Sequence, residues 1–532
     1  MRSTILALCL AAGVARTART QESLAGEWVG GTNVLGSWNF AQLRVHRANG
    51  ALAGSFDIPS QEAMRLPLRA VAQQGSEVRF DIDTPLGVFT FNGTLASGIV
   101  DGTLHAPSGA SGNLHLVPSA TISRAAFDRA VGSYSMPDGR QLLVTYRPFG
   151  QLFVTQLSAG EPRTIQRTFN LVPLDSETFF TSGSVNAAPK RDERLRFAGD
   201  GVAQRIEWIV PNGGPLSAVR DAKSIRQEWV VIHNGPITLN ATLFFPTGAA
   251  PYPALVSVGG SGPTTRDNVV VRSMELARSG LAVLVYDKRG TGDESGNWNS
   301  ATYEQLASDA SAAIRFLQSR TDIDPARVGL HGHSQGGWVA PIALASSPGV
   351  RFLVLSSPSA LMPAEQEVYR AGRQVSDAGG SAQDAAAAAA LMMLKWRAAI
   401  DTASWSAYDT LRRASSGAKW LGIVRPPETR DSPLWADLRA QLASDPRPAM
   451  RGIRVPTLLL FGADDAEVPP AESSVGWRTL LAAAGNADVR IEELPKVGHG
   501  VFIVTRGNAT SVVPEAREIL SRWLAAHGLT RP

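Results

Sequence analysis

Gly332-His333-Ser334-Gln335-Gly336 places a serine midway between two glycines. A serine hydroxyl is a weak nucleophile until the backbone exposes it and a base takes its proton. Val328-Gly329-Leu330-His331 before it reads as a short buried strand. Gly337-Trp338-Val339-Ala340 after it, running on to Ile342 and Leu344, reads as a helix. A sharp strand-to-helix turn between them would strain the serine backbone and demand small flanking residues. It would also set the hydroxyl at a helix N-terminus, whose positive end favours a developing oxyanion. In a chain with 50 glycines the three fixed positions alone are a weak signal, so the flanking strand and helix carry the weight. His331 and His333 read as strand-end and turn residues, since adjacency along the chain is not catalytic geometry.

Such a serine needs a base, and the base needs an orienting carboxylate, each on a loop after a later strand. Thr457-Leu458-Leu459-Leu460-Phe461 reads as a buried strand, followed by Gly462-Ala463-Asp464-Asp465-Ala466-Glu467-Val468-Pro469. Arg490-Ile491-Glu492-Glu493-Leu494 is the next strand, followed by Pro495-Lys496-Val497-Gly498-His499-Gly500. Only His499 and His527 lie downstream of the aspartates. His527 sits just before Gly528 at a helix end, where a capping residue is expected. His499 is therefore the candidate base. Asp465 is favoured as the acid over Asp464, which reads as a turn former bonding its own backbone. An oxyanion would take one donor from the backbone N–H of Gln335. The other would come from Gly259-Gly260-Ser261-Gly262-Pro263, the loop after the strand Ala254-Leu255-Val256-Ser257-Val258.

With those residues in place, positions from about 228 to 530 resemble the α/β-hydrolase superfamily, in its bacterial esterase and serine-peptidase-like (S9/S33-like) branch. Val285-Tyr286-Asp287-Lys288-Arg289-Gly290-Thr291-Gly292-Asp293-Glu294-Ser295-Gly296 is similar to the Asp-x-Arg-Gly-x-Gly-x-Ser-x-Gly loop seen after a central strand in that superfamily. The elbow with Gly337 and Trp338, Gly-x-x-Asp-x-x-Val around Asp465, and Gly-His at His499 complete the likeness. Many relatives carry His-Gly where this chain has Gly259-Gly260, which leaves Gly260 and Ser261 both open as the second oxyanion donor. The resemblance covers a little over half of the chain.

The surrounding patterns agree on physical grounds. Ala282-Val283-Leu284-Val285 and Phe352-Leu353-Val354-Leu355 are continuous apolar runs, as parallel strands covered on both faces require. Tyr303 to Leu317 and Pro514 to Ala526 are helical patterns, the latter with Ala516, Ile519, Leu520, Trp523 and Leu524 along one face. Strands alternating with helices imply a mostly parallel sheet whose ligands bind at the carboxyl ends of its strands. Pro341 should kink its helix or mark a loose turn.

The expected fold is an α/β-hydrolase catalytic region, residues 228–360 and 451–532, with residues 361–450 inserted as a helical cap. An alanine run (Ala385 to Ala390) leads into Leu391-Met392-Met393-Leu394-Lys395-Trp396, with Trp405, Trp420 and Trp435 beyond. Most of these should hold the cap helices together rather than line an acyl pocket.

At 532 residues the chain is long enough for further domains. From 22 to 225 it alternates short apolar runs such as Val78-Arg79-Phe80-Asp81-Ile82, Val88-Phe89-Thr90-Phe91 and Gln141-Leu142-Leu143-Val144-Thr145-Tyr146. Asn49-Gly50, Asp101-Gly102 and Asp138-Gly139 between them read as hairpin turns. That is antiparallel all-β: a barrel or sandwich over 22–120 and a second β unit over 121–225. The second unit starts near Phe127, where Gly132-Ser133-Tyr134 echoes Gly26-Glu27-Trp28. His46, His105 and His115 lack metal-ligand spacing.

Residues 1–20 read as a secretory signal: Met1-Arg2-Ser3-Thr4, an apolar run from Ile5 to Val14, and cleavage near Ala18 to Gln21. Cys9 is the only cysteine and lies inside that run, so the processed chain would have no thiol chemistry. Losing Arg2, Arg16 and Arg19 takes the formal charge from +4 to about +1, which argues against a nucleic-acid surface. No other segment is apolar enough for stable membrane insertion.

These residues predict a secreted or periplasmic serine hydrolase acting on small carboxylic esters, with Ser334, Asp465 and His499 as its triad and no cofactor or metal. A peptidase or aminopeptidase on the same fold is the alternative. The propeller-bearing peptidases that resemble this half need blade repeats, which the front region lacks. A non-catalytic binding protein of hydrolase shape is the reading from another class.

Overall fold

The computed structural model describes residues 22–530 apart from residues 35, 59–62, 85–86, 148–150, 183–188, 212, 223, 292–293, 425, 428, 433, 443 and 507–508. The expected signal segment, residues 1–20, lies outside the described residues. The chain divides into two compact units near Ser119.

The first unit is a closed barrel of eight antiparallel strands, from Gly26–Thr32 to Ser111–Pro118. Closure is direct, since Gly30 pairs with Ala41 on the second strand and with Leu116 on the last. Alternation turns Val78, Phe80 and Ile82 inward, each buried. Asn49-Gly50 forms the expected turn, with φ of 50° and 84°. Asp101-Gly102 does not. It lies inside the strand Ile99–His105, paired with Thr94 and Gly93, and the turn is made by Ser97-Gly98 (φ 54° and 68°). A Cβ on Gly102 would come within 2.5 Å of the Gly93 Cα and 2.9 Å of the Phe91 ring, so the glycine serves close approach rather than chain reversal.

The second unit opens with a short helix, Arg124–Ala130, which contains Phe127, and its first strand follows at Gly132–Ser135. Ser123 caps the helix. The echo of Gly26-Glu27-Trp28 in Gly132-Ser133-Tyr134 has a structural counterpart. Both glycines open a strand at nearly the same φ (153° and 150°), and each aromatic donates to the carbonyl four residues back. Trp28 Nε1 reaches Leu24 at 2.8 Å, and Tyr134 Oη reaches Ala130 at 2.7 Å. A ten-stranded sheet follows, and two of its strands, Ile503–Arg506 and Ala509–Val512, come from the far end of the chain. Ser511 and Thr510 pair with Thr164 and Ile165.

The remaining sheet has eight strands: β1 (Arg226–Asn234), β2 (Ile237–Phe245), β3 (Tyr252–Val258), β4 (Ala282–Tyr286), β5 (Ile323–His333), β6 (Val350–Ser356), β7 (Thr457–Gly462) and β8 (Val489–Leu494). Their order is β1-β2-β4-β3-β5-β6-β7-β8, with β2 antiparallel to its neighbours and β3 through β8 parallel. Helices α1 (Val270–Arg278), α2 (Tyr303–Gln318) and α3 (Gly336–Ala345) cross between strands. Helix α2 starts on a capping box made by Thr302 and Gln305. Helix α3 continues through Pro341, which has no N–H to donate to the preceding turn.

The continuous apolar strands are explained by cover on both sides. Val256, Leu284, Leu330 and Leu459 pack with α2 and α3. Leu255, Val283, Val354 and Leu458 pack with α1 and with the last helix, Pro514–Ala526. Leu143, Leu157 and Ile225 of the β region join the same cluster.

Between β6 and β7 lies a helical cap, including α4 (Pro363–Asp377), α5 (Ala382–Ile400) and α6 (Trp405–Ala414). Trp435 packs edge to face with Trp405 and Tyr408, and those two meet at a tilt, all with ring centres 5.4–5.5 Å apart and with Met392 and Trp420 in the same buried cluster. Among the described residues no helix is long and apolar enough to cross a membrane.

Candidate active site

The loops after β3, β5, β7 and β8 meet around a cavity of about 880 Å³, lined from the sheet side by Gly260, Ser261, Ser334, Gln335 and His499. Ser334 stands at the β5–α3 turn with φ of 54°, the strained conformation such a turn imposes on a non-glycine residue. Its flanking glycines are needed for contact. A Cβ on Gly332 would sit 2.3 Å from the Gly336 carbonyl, and one on Gly336 would sit 2.6 Å from that of Val258. Hydrogen bonds fix the turn: the Ser334 N–H donates to Ser356 O at 3.0 Å and the Gly337 N–H to Ser334 O at 2.7 Å.

His499 Nδ1 donates to Asp465 Oδ2 at 2.9 Å and to Oδ1 at 3.1 Å. The Asp465 carboxylate is buried, and its Oδ1 also accepts the backbone N–H groups of Glu467 and Val468 at 2.8 and 2.9 Å. These bonds account for the Asp-x-x-Val spacing and hold the acid in one orientation. Asp464 is exposed, and its backbone N–H goes to the Val497 carbonyl instead. The His499 carbonyl accepts from Ser357 Oγ at 2.8 Å, and Tyr369 of the cap donates to the Asp465 carbonyl at 3.1 Å. Ser334 and His499 share the cavity, and among the described residues no hydrogen bond joins them.

His331 and His333 are more than turn residues. His331 is fully buried between Ser257 Oγ (2.9 Å) and Ser356 Oγ (3.0 Å). His333 bonds Ser356 Oγ at 3.1 Å, lines the cavity, and has its ring centre 5.0 Å from that of His499. Burial, and then the charge of Arg272, holds both well below the ordinary histidine value, so both are neutral. His527 does what its position suggested, with Nδ1 on the Trp523 carbonyl at 2.7 Å and Nε2 on Asp488 at 3.0 Å.

The loop after β4 explains why its motif has the residues it has. The Asp287 carboxylate faces Arg266 and accepts the Arg266 backbone N–H at 2.6 Å. Arg289 grips Asp309 of α2 through two hydrogen bonds of 2.7 Å. Lys288, between them, is buried, and its Nζ donates to the Gly260 carbonyl and to Gln335 Oε1 at 3.0 Å. One ammonium thus ties together both segments whose amides were expected to face an oxyanion. Burial pushes its pKa down to about 7.

From the cap, Gln366, Glu367, Arg370, Trp396 and Gln441 line the cavity, and Arg272 of α1 lines it from the core. Of these, only Trp396 belonged to the cap run that the sequence offered as packing or pocket lining. Lys288 sits inside a recognisable motif, whereas Arg272 stands in an ordinary helix and could be found only by its surroundings. Among the described residues no group of three or more His, Cys, Asp or Glu is arranged to hold a metal.

The family model for the serine aminopeptidases, S33, matches residues 272–503. An uncharacterized protein of Mycobacterium tuberculosis is 42% identical over 109 residues, which is 19% of this chain and 37% of that protein. Esterase EstD of Thermotoga maritima is 24% identical over 297 residues, covering 52% of this chain and 61% of the esterase. The chain therefore spans between about a third and two thirds of these relatives. Among solved structures, Est1E from Butyrivibrio proteoclasticus with ferulic acid bound is 16% identical, with a TM-score of 0.37, covering 56% of this chain and 98% of that one. The Pyrococcus furiosus esterase Pf2001 is 15% identical, with a TM-score of 0.38, covering 57% and 91%. Given the strand order and the matched stretch, the region from β1 onward has the α/β-hydrolase fold, and residues 272–503 are similar to its esterase- and peptidase-like members.

Proposed function

We propose that this protein is an exported serine hydrolase that cleaves carboxylic esters through an acyl-enzyme. The supporting observation is a serine strained onto a strand-to-helix turn, in one cavity with a histidine already oriented by a buried carboxylate. Ser334 Oγ attacks the ester carbonyl while His499 Nε2 takes its proton. Asp465 holds the imidazole so that Nδ1 carries hydrogen and Nε2 is free to accept. His499 then returns the proton to the departing alcohol, and a water activated by His499 releases the acid. Contacts between nucleophile and base tighten when substrate binds, which is the step left for Ser334 and His499.

The Gln335 N–H opens α3 and is the first oxyanion donor. For the second, the orientation of one peptide plane favours Ser261 over Gly260. Lys288 and Thr264 both draw on the Gly260 carbonyl. In a trans peptide the next N–H, that of Ser261, points the opposite way.

Ser334→Ala and His499→Ala should each lower turnover of 4-nitrophenyl butanoate by roughly 10⁴-fold or more, with unchanged circular dichroism. Retained activity in either folded variant rejects the mechanism. The S33 family match supports a second reading, an aminopeptidase, and faster cleavage of aminoacyl amides than of matched esters would select it. Failure of a fluorophosphonate to label Ser334 would leave a non-catalytic protein of hydrolase shape. Export is inferred from residues 1–20 alone. Expression in a secreting bacterium should yield a mature N-terminus between residues 18 and 22, and a protein retaining Met1 would contradict it.

A further inference from the structure

Among the described residues Arg272 is a cation without a partner. Among the described residues, no carboxylate pairs with its guanidinium and no hydrogen bond satisfies it. Its Nε is buried and orphaned, while the side chain lines the cavity that holds Ser334 and His499. Other charges around the cavity are accounted for. Glu367 is paired with Lys395 and with Arg370. Glu467 is held by Arg370 and Gln374. Asp465 holds His499. Burial pulls the Arg272 pKa down to about 10, which leaves it charged at neutral pH, and burial is the only cause acting on it. Its charge reaches His333, which packs against His499, so it stands beside the proposed chemistry.

A half-buried cation set in a cavity wall without a counter-ion is costly to keep, and a ligand of opposite charge in that cavity would answer it. A second orphan points the same way. The indole N–H of Trp396, on cap helix α5, is buried, lacks a partner and belongs to a residue lining the same cavity. The walls thus offer unmatched donors and no unmatched carboxylate, which suits an acceptor-rich, anionic ligand. The guanidinium fork is planar and matches a carboxylate through two parallel N–H···O bonds.

We propose that the substrate of this site is an ester that also carries a free carboxylate, received by Arg272 while the ester carbonyl lies at Ser334. This rests on the hydrolase reading above and adds the substrate class to it. Hydrolysis of such an ester leaves a dicarboxylic acid or a carboxylate-bearing alcohol, according to the side on which the charge lies.

The test compares charged and neutral esters of similar size. 4-Nitrophenyl hydrogen glutarate carries the carboxylate on the acyl side and 4-carboxyphenyl butanoate on the alcohol side, with 4-nitrophenyl butanoate and phenyl butanoate as neutral partners. The wild-type protein should favour one charged ester over its neutral partner by about tenfold or more in kcat/KM. Arg272→Gln should collapse that ratio toward one, and Arg272→Lys should keep part of it. A wild-type protein without the preference, or a folded Arg272→Gln variant with the ratio intact, overturns the proposal. If no ester is turned over, the hydrolase reading fails and binding decides the anion site separately. Calorimetric titration of monomethyl glutarate into folded Ser334→Ala protein should show binding that weakens about tenfold when Arg272→Gln is added. Equal affinity in the two proteins, or no binding to the first, overturns it.

Discussion

Lys288 is held in a place where its charge is costly, and the contacts it makes say why the cost is borne. Its Nζ bridges the Gly260 carbonyl and the Gln335 side chain, and burial has already brought its pKa to about 7. Removing the ammonium frees the Gly260–Ser261 peptide to turn, so the Ser261 N–H would no longer be aimed at an oxyanion. One misdirected donor costs less than one deleted, and deletion is worth roughly 10²–10³-fold in kcat. Lys288→Met should therefore lower kcat on a neutral ester by about tenfold or more while KM moves by less than about threefold. Steady-state kinetics on the folded variant check this, and a change confined to KM would remove Lys288 from any positioning role. At this scale the serine, the histidine and the preferred aspartate were legible because each lies in a short pattern tied to one backbone conformation. Arg272 and Trp396 were not, since what distinguishes them is the lack of a partner.

Among the elements, the loop after β4 shows how a surface connection becomes structural. Glu294 turns back onto β2, where its Oε1 accepts the Asn240 backbone N–H at 2.9 Å and the Asn240 side chain at 2.8 Å. Among the described residues nothing bonds its buried Oε2. Burial, with the neighbouring Asp287 carboxylate, raises its pKa to about 8. The folded protein thus keeps this proton where the unfolded chain, with an ordinary carboxyl, has lost it. Stability from this group is complete below the unfolded value near 4.5 and drains away as pH rises through about 8. Glu294→Gln keeps the acceptor and cannot ionise. Its melting temperature relative to wild type should climb between pH 5 and pH 8, and a pH-independent difference would show that Glu294 is already ionised at pH 5. Strand and helix identities in this region followed from apolar runs and periodicity. The hairpin at Asp101-Gly102 was misread because an Asp-Gly pair is only a local signal. Bare glycines facing each other across a barrel ladder, under the Phe91 ring, account for Gly102 equally well.

Across the molecule, the β region from Ala120 and the hydrolase region share one core. Leu143, Leu157 and Ile225 pack with Phe244, Val512 and Trp523, and Ser511 pairs with Thr164. No sequence pattern announced this, because residues 503–512 look like an ordinary connection before the last helix, and a strand's partner is not encoded in its own residues. Residue patterns alone were enough for the fold class and for the loops that carry Ser334, Asp465 and His499. Those signals are local: glycines at a strained turn, uninterrupted apolar strands, a histidine placed after the last of them. What needed the folded chain was that Lys288 joins two distant loops and that, among the described residues, Arg272 faces the cavity without a partner. Each depends on which side chains the folded chain brings within hydrogen-bond reach, and that distance is set by packing across hundreds of residues rather than by any neighbour in sequence.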